Sequence, residues 1–190
     1  EPMSEDALKE TISLELKMAH KKNKKYVILV PGNIGEKLFI RYSGIDNISM
    51  VKMSNYLGFA LEECSRLGFD KIIIAGHIGK LIKPAGGIYY THSRVSSTRM
   101  EILTAYLGVM GMRQEDLISI MDCTTTDEAA KIIKRTGMEE VFTVLANKAA
   151  ANCESYIYGN LDIGVLYFNM TELLAISDKV QSIIGEIKDE

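Results

Sequence analysis

Cysteine is scarce in this sequence, and the three present, Cys64, Cys123 and Cys153, stand far apart with no C-x-x-C pair. An odd, scattered set excludes a disulfide framework and a zinc knuckle. No apolar run approaches the roughly 20 residues that span a bilayer, and no secretory signal pattern opens the chain. A soluble, cytoplasmic protein is the expectation. An excess of charge of one sign is lacking too, because 22 Lys and Arg against 25 Asp and Glu leave a formal net charge of -3. That balance offers no field to draw in nucleic acid or an anionic membrane, so any anion must be held by a local cluster. The patterns H-E-x-x-H, H-x-x-E-H and G-x-S-x-G are absent. Their absence argues against a zinc site and a nucleophile elbow, and no protein-bound metal is expected.

What remains is the composition of an ordinary folded domain, with 47% hydrophobic and 25% charged residues over 190 positions. Ser4, followed by Glu5 and Asp6, reads as an N-cap, and Leu8, Ile12, Leu16 and Ala19 recur at helical spacing. The KKNKK segment at 21–25 ends that helix as a solvated basic turn. Residues 26–30 form a bare apolar, β-branched run closed by Pro31 and Gly32, which predicts a buried strand. A weaker strand is expected over 50–53. Helical spacing returns at Leu57, Leu61, Cys64 and Leu67, with Gly68 as its stop, and 72–75 is again a bare strand.

After a long polar loop at 77–97, the pattern predicts helices over 98–110, 127–136, 147–158 and 172–187. Strands are predicted between them over 117–121, 141–146 and 163–168. Strands without polar alternation, separated by amphipathic helices, call for a parallel sheet covered on both faces. The expectation is one α/β domain over 1–190, Rossmann-like and doubly wound, with a mostly parallel sheet and helices on both faces.

In such sheets ligands bind beyond the carboxyl ends of the strands. PGNIGE (31–36) follows the first strand and GHIGK (76–80) the third. Gly32 and Gly35 either turn the chain or let its backbone approach a nucleotide-like ligand, with Asn33 and Glu36 supplying polar contacts. Ser54 and Asn55 either face the site or cap the next helix. Thr125 to Glu128 has the T-x-x-E form of a capping box. The long loop concentrates His77, Lys80, Lys83, His92 and Arg94, with Arg99 just beyond, and so holds two of the chain's three histidines. Such a cationic rim suits a small ligand bearing several carboxylates or phosphates.

The run from Met50 to Leu103, above all SN-x-x-GF, GHIGK, AGGI and THSR-x-x-x-x-R-x-E, resembles the CbiD family of cobalt-precorrin-5B C1-methyltransferases of anaerobic cobalamin biosynthesis. PMSEDALKE and PGNIGE are similar to other blocks of that family. The resemblance implies transfer of a methyl group from S-adenosylmethionine to C1 of a cobalt-bound, polycarboxylate corrinoid substrate, the cobalt residing in the substrate. It further implies that this chain, which opens EPMS, is the C-terminal half of a longer protein whose Thr- and Gly-rich N-terminal region is not here.

On the resemblance, Gly32, Asn33, Gly35, Glu36, Ser54, Asn55, Gly76 and His77 are the expected cofactor contacts. Lys80, Thr91, Ser93, Arg94 and Arg99 are the expected substrate contacts, and His92 is the expected proton acceptor. Two other readings stand beside it: a non-catalytic tetrapyrrole-binding or scaffolding domain, and a nicotinamide-dependent oxidoreductase. The missing G-x-G-x-x-G argues against the latter. No nucleic acid or membrane partner is expected, and a homo-oligomer is left open.

Overall fold

The computed structural model describes residues 4–190. Pro2 and Met3 of the PMSEDALKE block lie outside the described residues. Helix α1 (Glu5–Lys22) begins as its sequence predicts, with the Ser4 side chain accepting from the Ala7 N–H at 3.2 Å. Strand β1 (Tyr26–Val30) follows, then α2 (Asn33–Ser43), β2 (Met50–Lys52), α3 (Leu57–Leu67) and β3 (Lys71–His77). A short helix α4 (Ile78–Leu81), a 3-10 turn (Lys83–Gly86) and helices α5 (Arg99–Val109), α6 (Gln114–Met121), α7 (Thr126–Arg135) and α8 (Glu140–Tyr156) fill the long connection to β4 (Asp162–Phe168). Strand β5 (Leu173–Ile176) and helix α9 (Val180–Asp189) complete the chain.

The five strands lie in the order β2-β1-β3-β4-β5, with β1 to β4 parallel and β5 antiparallel to β4. Alternate side chains of each central strand serve opposite faces. Val27, Leu29, Ile72, Ile74, Ile163 and Val165 pack with α1, α3 and α8. Tyr26, Ile28, Val30, Ile73, Ala75 and Leu166 pack with Phe39 of α2 and with α9. Both faces are covered, which is why these strands show no polar alternation.

Three expected elements differ. Residues 117–121 are helical, because only Ile120 is fully buried while Ile118 and Met121 lie 54% and 45% exposed, an orientation that a buried central strand does not allow. Residues 141–146 are the start of α8 rather than a strand. Val141, Phe142, Leu145, Ala146, Ala149, Ala150 and Cys153 form one buried stripe at helical spacing. Residues 173–176 form β5, and the helix expected over 172–187 begins only at Val180. A turn precedes β5, in which Asn169 Oδ1 accepts the N–H groups of Thr171 and Glu172, both at 2.8 Å. The loop at 77–97 is also more ordered than its polarity suggests. Ile78, Leu81, Ile82 and Ala85 are buried, Asn152 donates to the Pro84 and Ala85 carbonyls, and Tyr89 stacks on Tyr156 with centroids 4.2 Å apart.

Strand order turns about at β1 and β3, and glycines set how closely the chain segments meet there. A side-chain carbon at Gly35, in the first turn of α2, would lie 2.8 Å from the Ala75 carbonyl oxygen of β3. At Gly32 it would meet nothing within 4 Å. Gly35→Ala is therefore expected to lose about 1–3 kcal/mol of stability through overpacking against backbone. Gly32→Ala should stay within about 0.5 kcal/mol of the parent. Urea unfolding of the two variants checks this; equal midpoints would show that α2 is not held against β3 by this contact.

Candidate functional site

A cavity of about 700 Å³ opens at the carboxyl ends of β1 and β3, between the first turn of α2 on one side and the segment 77–99 on the other. This is the switch point of the sheet, where a parallel α/β fold leaves a crevice between connections that depart in opposite directions. Of the expected residues, Gly32, Asn33, Gly35, Asn55, His77, Lys80, Thr91, His92, Ser93 and Arg99 line it together.

The other four lie outside the lining. Glu36 pairs with Lys52 at 3.2 Å. Gly76 lies beneath the floor, where an added side-chain carbon would come within 2.7 Å of Pro31 Cδ. Ser54 occupies a left-handed turn with φ 52°, and it caps nothing, since the N-cap of α3 is Tyr56, without a side-chain bond. Arg94 is exposed to solvent.

Several further lining residues stand outside the contacts implied by the resemblance, among them Lys83, which belongs to the cationic rim expected from the sequence. Lys83 and Gly79 stand in the basic loop, whose density of Lys, His and Gly was the available signal. Thr125 forms the expected capping box with Glu128, yet it also lines the cavity, and with it come Thr126 and Asp127. Exposed Ile34 and Met170 form an apolar part of the rim, and nothing local in the sequence marks Met170.

Both histidines are held by the backbone ahead of them. His77 Nδ1 accepts the Gly79 N–H at 3.0 Å, which places the ring hydrogen of a neutral imidazole on Nε2. That atom faces Asp127 Oδ1 at 3.3 Å, but the contact lacks hydrogen-bond geometry, and among the described residues both buried atoms are without a hydrogen-bond partner. The two groups stand side by side where the N-terminus of α7 approaches the end of β3. His92 Nδ1 likewise accepts the Arg94 N–H at 3.1 Å. In this arrangement the free Nε2 of neutral His92 is a donor, not the proton acceptor expected of it.

Three cations, Lys80, Lys83 and Arg99, line the cavity, and among the described residues none of them makes an ion pair. Among the described residues the only lining carboxylate is Asp127, which faces His77 at 3.3 Å without a hydrogen bond between them. Lys83 is 3% exposed, and its Nζ donates to the Thr91 carbonyl at 2.6 Å. Burial first, then repulsion from Arg99 and Lys80, holds the Lys83 ammonium below its ordinary range; burial alone does so for Lys80. Arg99 reaches the Thr124 carbonyl only at 3.4 Å. The arrangement can bind and orient an anionic ligand. Among the described residues no three His, Cys, Asp or Glu side chains converge on a metal position, and no helix is long and apolar enough to cross a membrane.

Comparison with known proteins agrees with the motif resemblance. Residues 90–178 match the family model described as "CbiD, C-terminal domain". A cobalt-precorrin-5B C(1)-methyltransferase of Clostridioides difficile is 39% identical over 188 residues, covering 97% of this chain and 46% of that protein. One from Alkaliphilus metalliredigens is 37% identical over 191 residues, covering 100% of this chain and 51% of its own length. A third, from Photorhabdus laumondii, is 43% identical over 147 residues, which cover 77% of this chain and 39% of that protein. The chain thus spans about half the length of the first two relatives. No solved structure matches.

The Lys83 environment generates a pH prediction. Because its folded pKa lies below the ordinary 10.5, the native state holds fewer protons than the unfolded chain in the interval between the two values. Stability relative to a Lys83→Met variant should therefore be lowest where the lysine is charged in both states, rise through that alkaline interval, and level off above 10.5. Denaturant titrations of both proteins from neutral to strongly alkaline pH measure the difference. A flat difference would mean that the folded protein does not perturb this ammonium.

Proposed function

From a chain that carries the C-terminal domain of the CbiD family, we infer that it forms the ligand-binding half of a cobalt-precorrin-5B C1-methyltransferase, an enzyme of cobalamin biosynthesis. The observation that carries this reading is the wall of unpaired cations, Lys80, Lys83 and Arg99, in the switch-point cavity of a protein whose net charge is -3. A corrinoid bearing several carboxylates is an appropriate counterpart, and the cobalt belongs to that substrate.

The opposite wall suits S-adenosylmethionine. Open space at Gly32, the start of α2 and the amides of Asn33 and Asn55 offer room and polar contacts for a nucleoside and an amino-acid carboxylate. When bound, this cofactor supplies an electrophilic methyl carbon: the ring carbon provides the electron pair of the new bond, and the pair of the broken S–C bond stays on sulfur as a neutral thioether. The chain's own residues position and enclose. Lys80, Lys83 and Arg99 hold the substrate's carboxylates, His92 donates from Nε2, and Ile34 and Met170 at the rim cover apolar ligand surface and restrict water. Acceleration then comes from alignment of two bound partners, which intramolecular models value at about 7–11 kcal/mol.

A nicotinamide site is disfavoured by the region after β2, where Ser54 and Asn55 stand in place of the acidic residue that holds a ribose. Calorimetry of the whole protein should find binding of S-adenosylhomocysteine and none of NAD. Saturable NAD binding without a response to the thioether overturns the reading. Transfer of labelled methyl from the donor to the corrinoid, under anaerobic conditions, separates an enzyme from a tetrapyrrole carrier.

Arg99→Gln should weaken corrinoid binding more than about tenfold, roughly 1.4 kcal/mol, and leave S-adenosylhomocysteine affinity near that of the parent. Exposed Arg94, outside the lining, should matter less when changed to Gln, since a solvated pair is worth about 0–1 kcal/mol.

A further inference from the structure

We propose that Lys83 and Thr91 form a buried subsite for a single carboxylate of the ligand, at side chains less exposed to solvent than Lys80 and Arg99. Lys83 is 3% exposed and Thr91 2%, so both groups are removed from bulk water while still lining the cavity. Their hydrogen bonding is incomplete. Lys83 Nζ uses one of its three donors on the Thr91 carbonyl at 2.6 Å, and among the described residues no carboxylate pairs with it. The Thr91 hydroxyl is buried and has no partner among the described residues.

These are two independent signs of a missing ligand atom. A buried ammonium without a counter-ion costs stability, and so does a buried hydroxyl without a bond. A fold that needed Lys83 only to hold the Thr91 carbonyl would be served as well by a neutral donor. The segment is already fixed by other contacts: the Thr91 N–H donates to the Asn55 carbonyl at 3.0 Å, and Tyr90 pairs with Tyr56 across a short antiparallel bridge. A carboxylate supplies what both groups lack, one negative charge and two acceptor oxygens. One oxygen accepts from the free ammonium hydrogens and the other from the hydroxyl. Lys80 and Arg99, in the same cavity, are left for further carboxylates of the same ligand. The subsite rests on the reading that the cavity holds a polycarboxylate, and the test separates the two.

The test uses Lys83→Met and Thr91→Val in the whole protein, with melting temperature and affinity measured for three probes: cobyrinic acid as a cobalt-corrinoid polycarboxylate, citrate, and inorganic phosphate. Lys83→Met should melt at or above the parent temperature while its affinity for cobyrinic acid falls at least tenfold. Thr91→Val should keep the parent's melting temperature and lose roughly two- to tenfold. Unchanged affinity for both carboxylate probes in Lys83→Met overturns the subsite and leaves the lysine a structural tie, which a lowered melting temperature would then reveal. Should Lys83→Met fail to fold, Thr91→Val decides on the same criterion. A parent protein that ignores cobyrinic acid yet is protected by citrate, with protection lost in Lys83→Met, keeps the subsite and removes the corrinoid reading. No response of the parent to either carboxylate, or tighter binding of phosphate than of citrate, overturns the carboxylate assignment.

Discussion

The site depends on how closely the loop after β1 approaches the end of β3. Pro31 lies over Gly76 with no room for a side chain between them, and the first turn of α2 rests through Gly35 on the Ala75 carbonyl. These two contacts bring the ends of parallel neighbours together at the one place where the connections diverge to opposite faces. The cavity is therefore a consequence of sheet order, and Gly35 and Gly76 act there by packing. Gly32 differs, since a side-chain carbon there would meet only open space at the edge of the cavity.

Charge is distributed to match. Elsewhere on the molecule several cations find carboxylates, as Lys71 does in Glu186 and Lys179 does in Glu154 and Asp162, and among the described residues others stand free on the surface. In the cavity no cation is paired with a carboxylate among the described residues, and the buried Lys83 is the extreme case. Unpaired cations converging in a shielded space oppose folding through mutual repulsion and lost hydration. Their persistence in one cavity is the mark of a site whose stability is completed by its ligand.

The legible part of the fold is the part whose residues have a single local explanation. Strands β1, β3 and β4 are buried on both faces, so each reads as an unbroken apolar run, and α7 announces itself by T-x-x-E. The run at 141–146 satisfies a strand and a helix equally. Only the continuation of its stripe to Cys153 decides, and that continuation crosses Asn147, which resembles a break. Strand β5 has four residues and shares its window with the helix after it, so the Asn169 turn is its one local sign. In the site, the density of basic residues and glycines after β3 was visible in the sequence. The inward turn of Asp127 was not, because a capping box accounts for Thr125 and Glu128 and places no demand on the residues between them. Arg94 and Arg99 are indistinguishable by composition. A helix start carries Arg99 to the cavity, and Arg94 is left in solvent.

The two histidines show what kind of chemistry the lining permits. Each ring gives Nδ1 to an N–H two residues ahead, in His77 to Gly79 and in His92 to Arg94. Each is thereby fixed in the tautomer that donates from Nε2. The His77 donor faces Asp127 Oδ1, which belongs to the only lining carboxylate among the described residues and is buried with no hydrogen bond of its own. The His92 donor stands with Lys80, Lys83 and Arg99, so the basic wall itself offers donors and cations. A wall of that kind holds anionic groups in fixed positions and has little means of abstracting a proton from a ligand. Such a site suits a reaction whose leaving group is already activated and whose demand on the protein is alignment, which is the demand that the proposed methyl transfer makes.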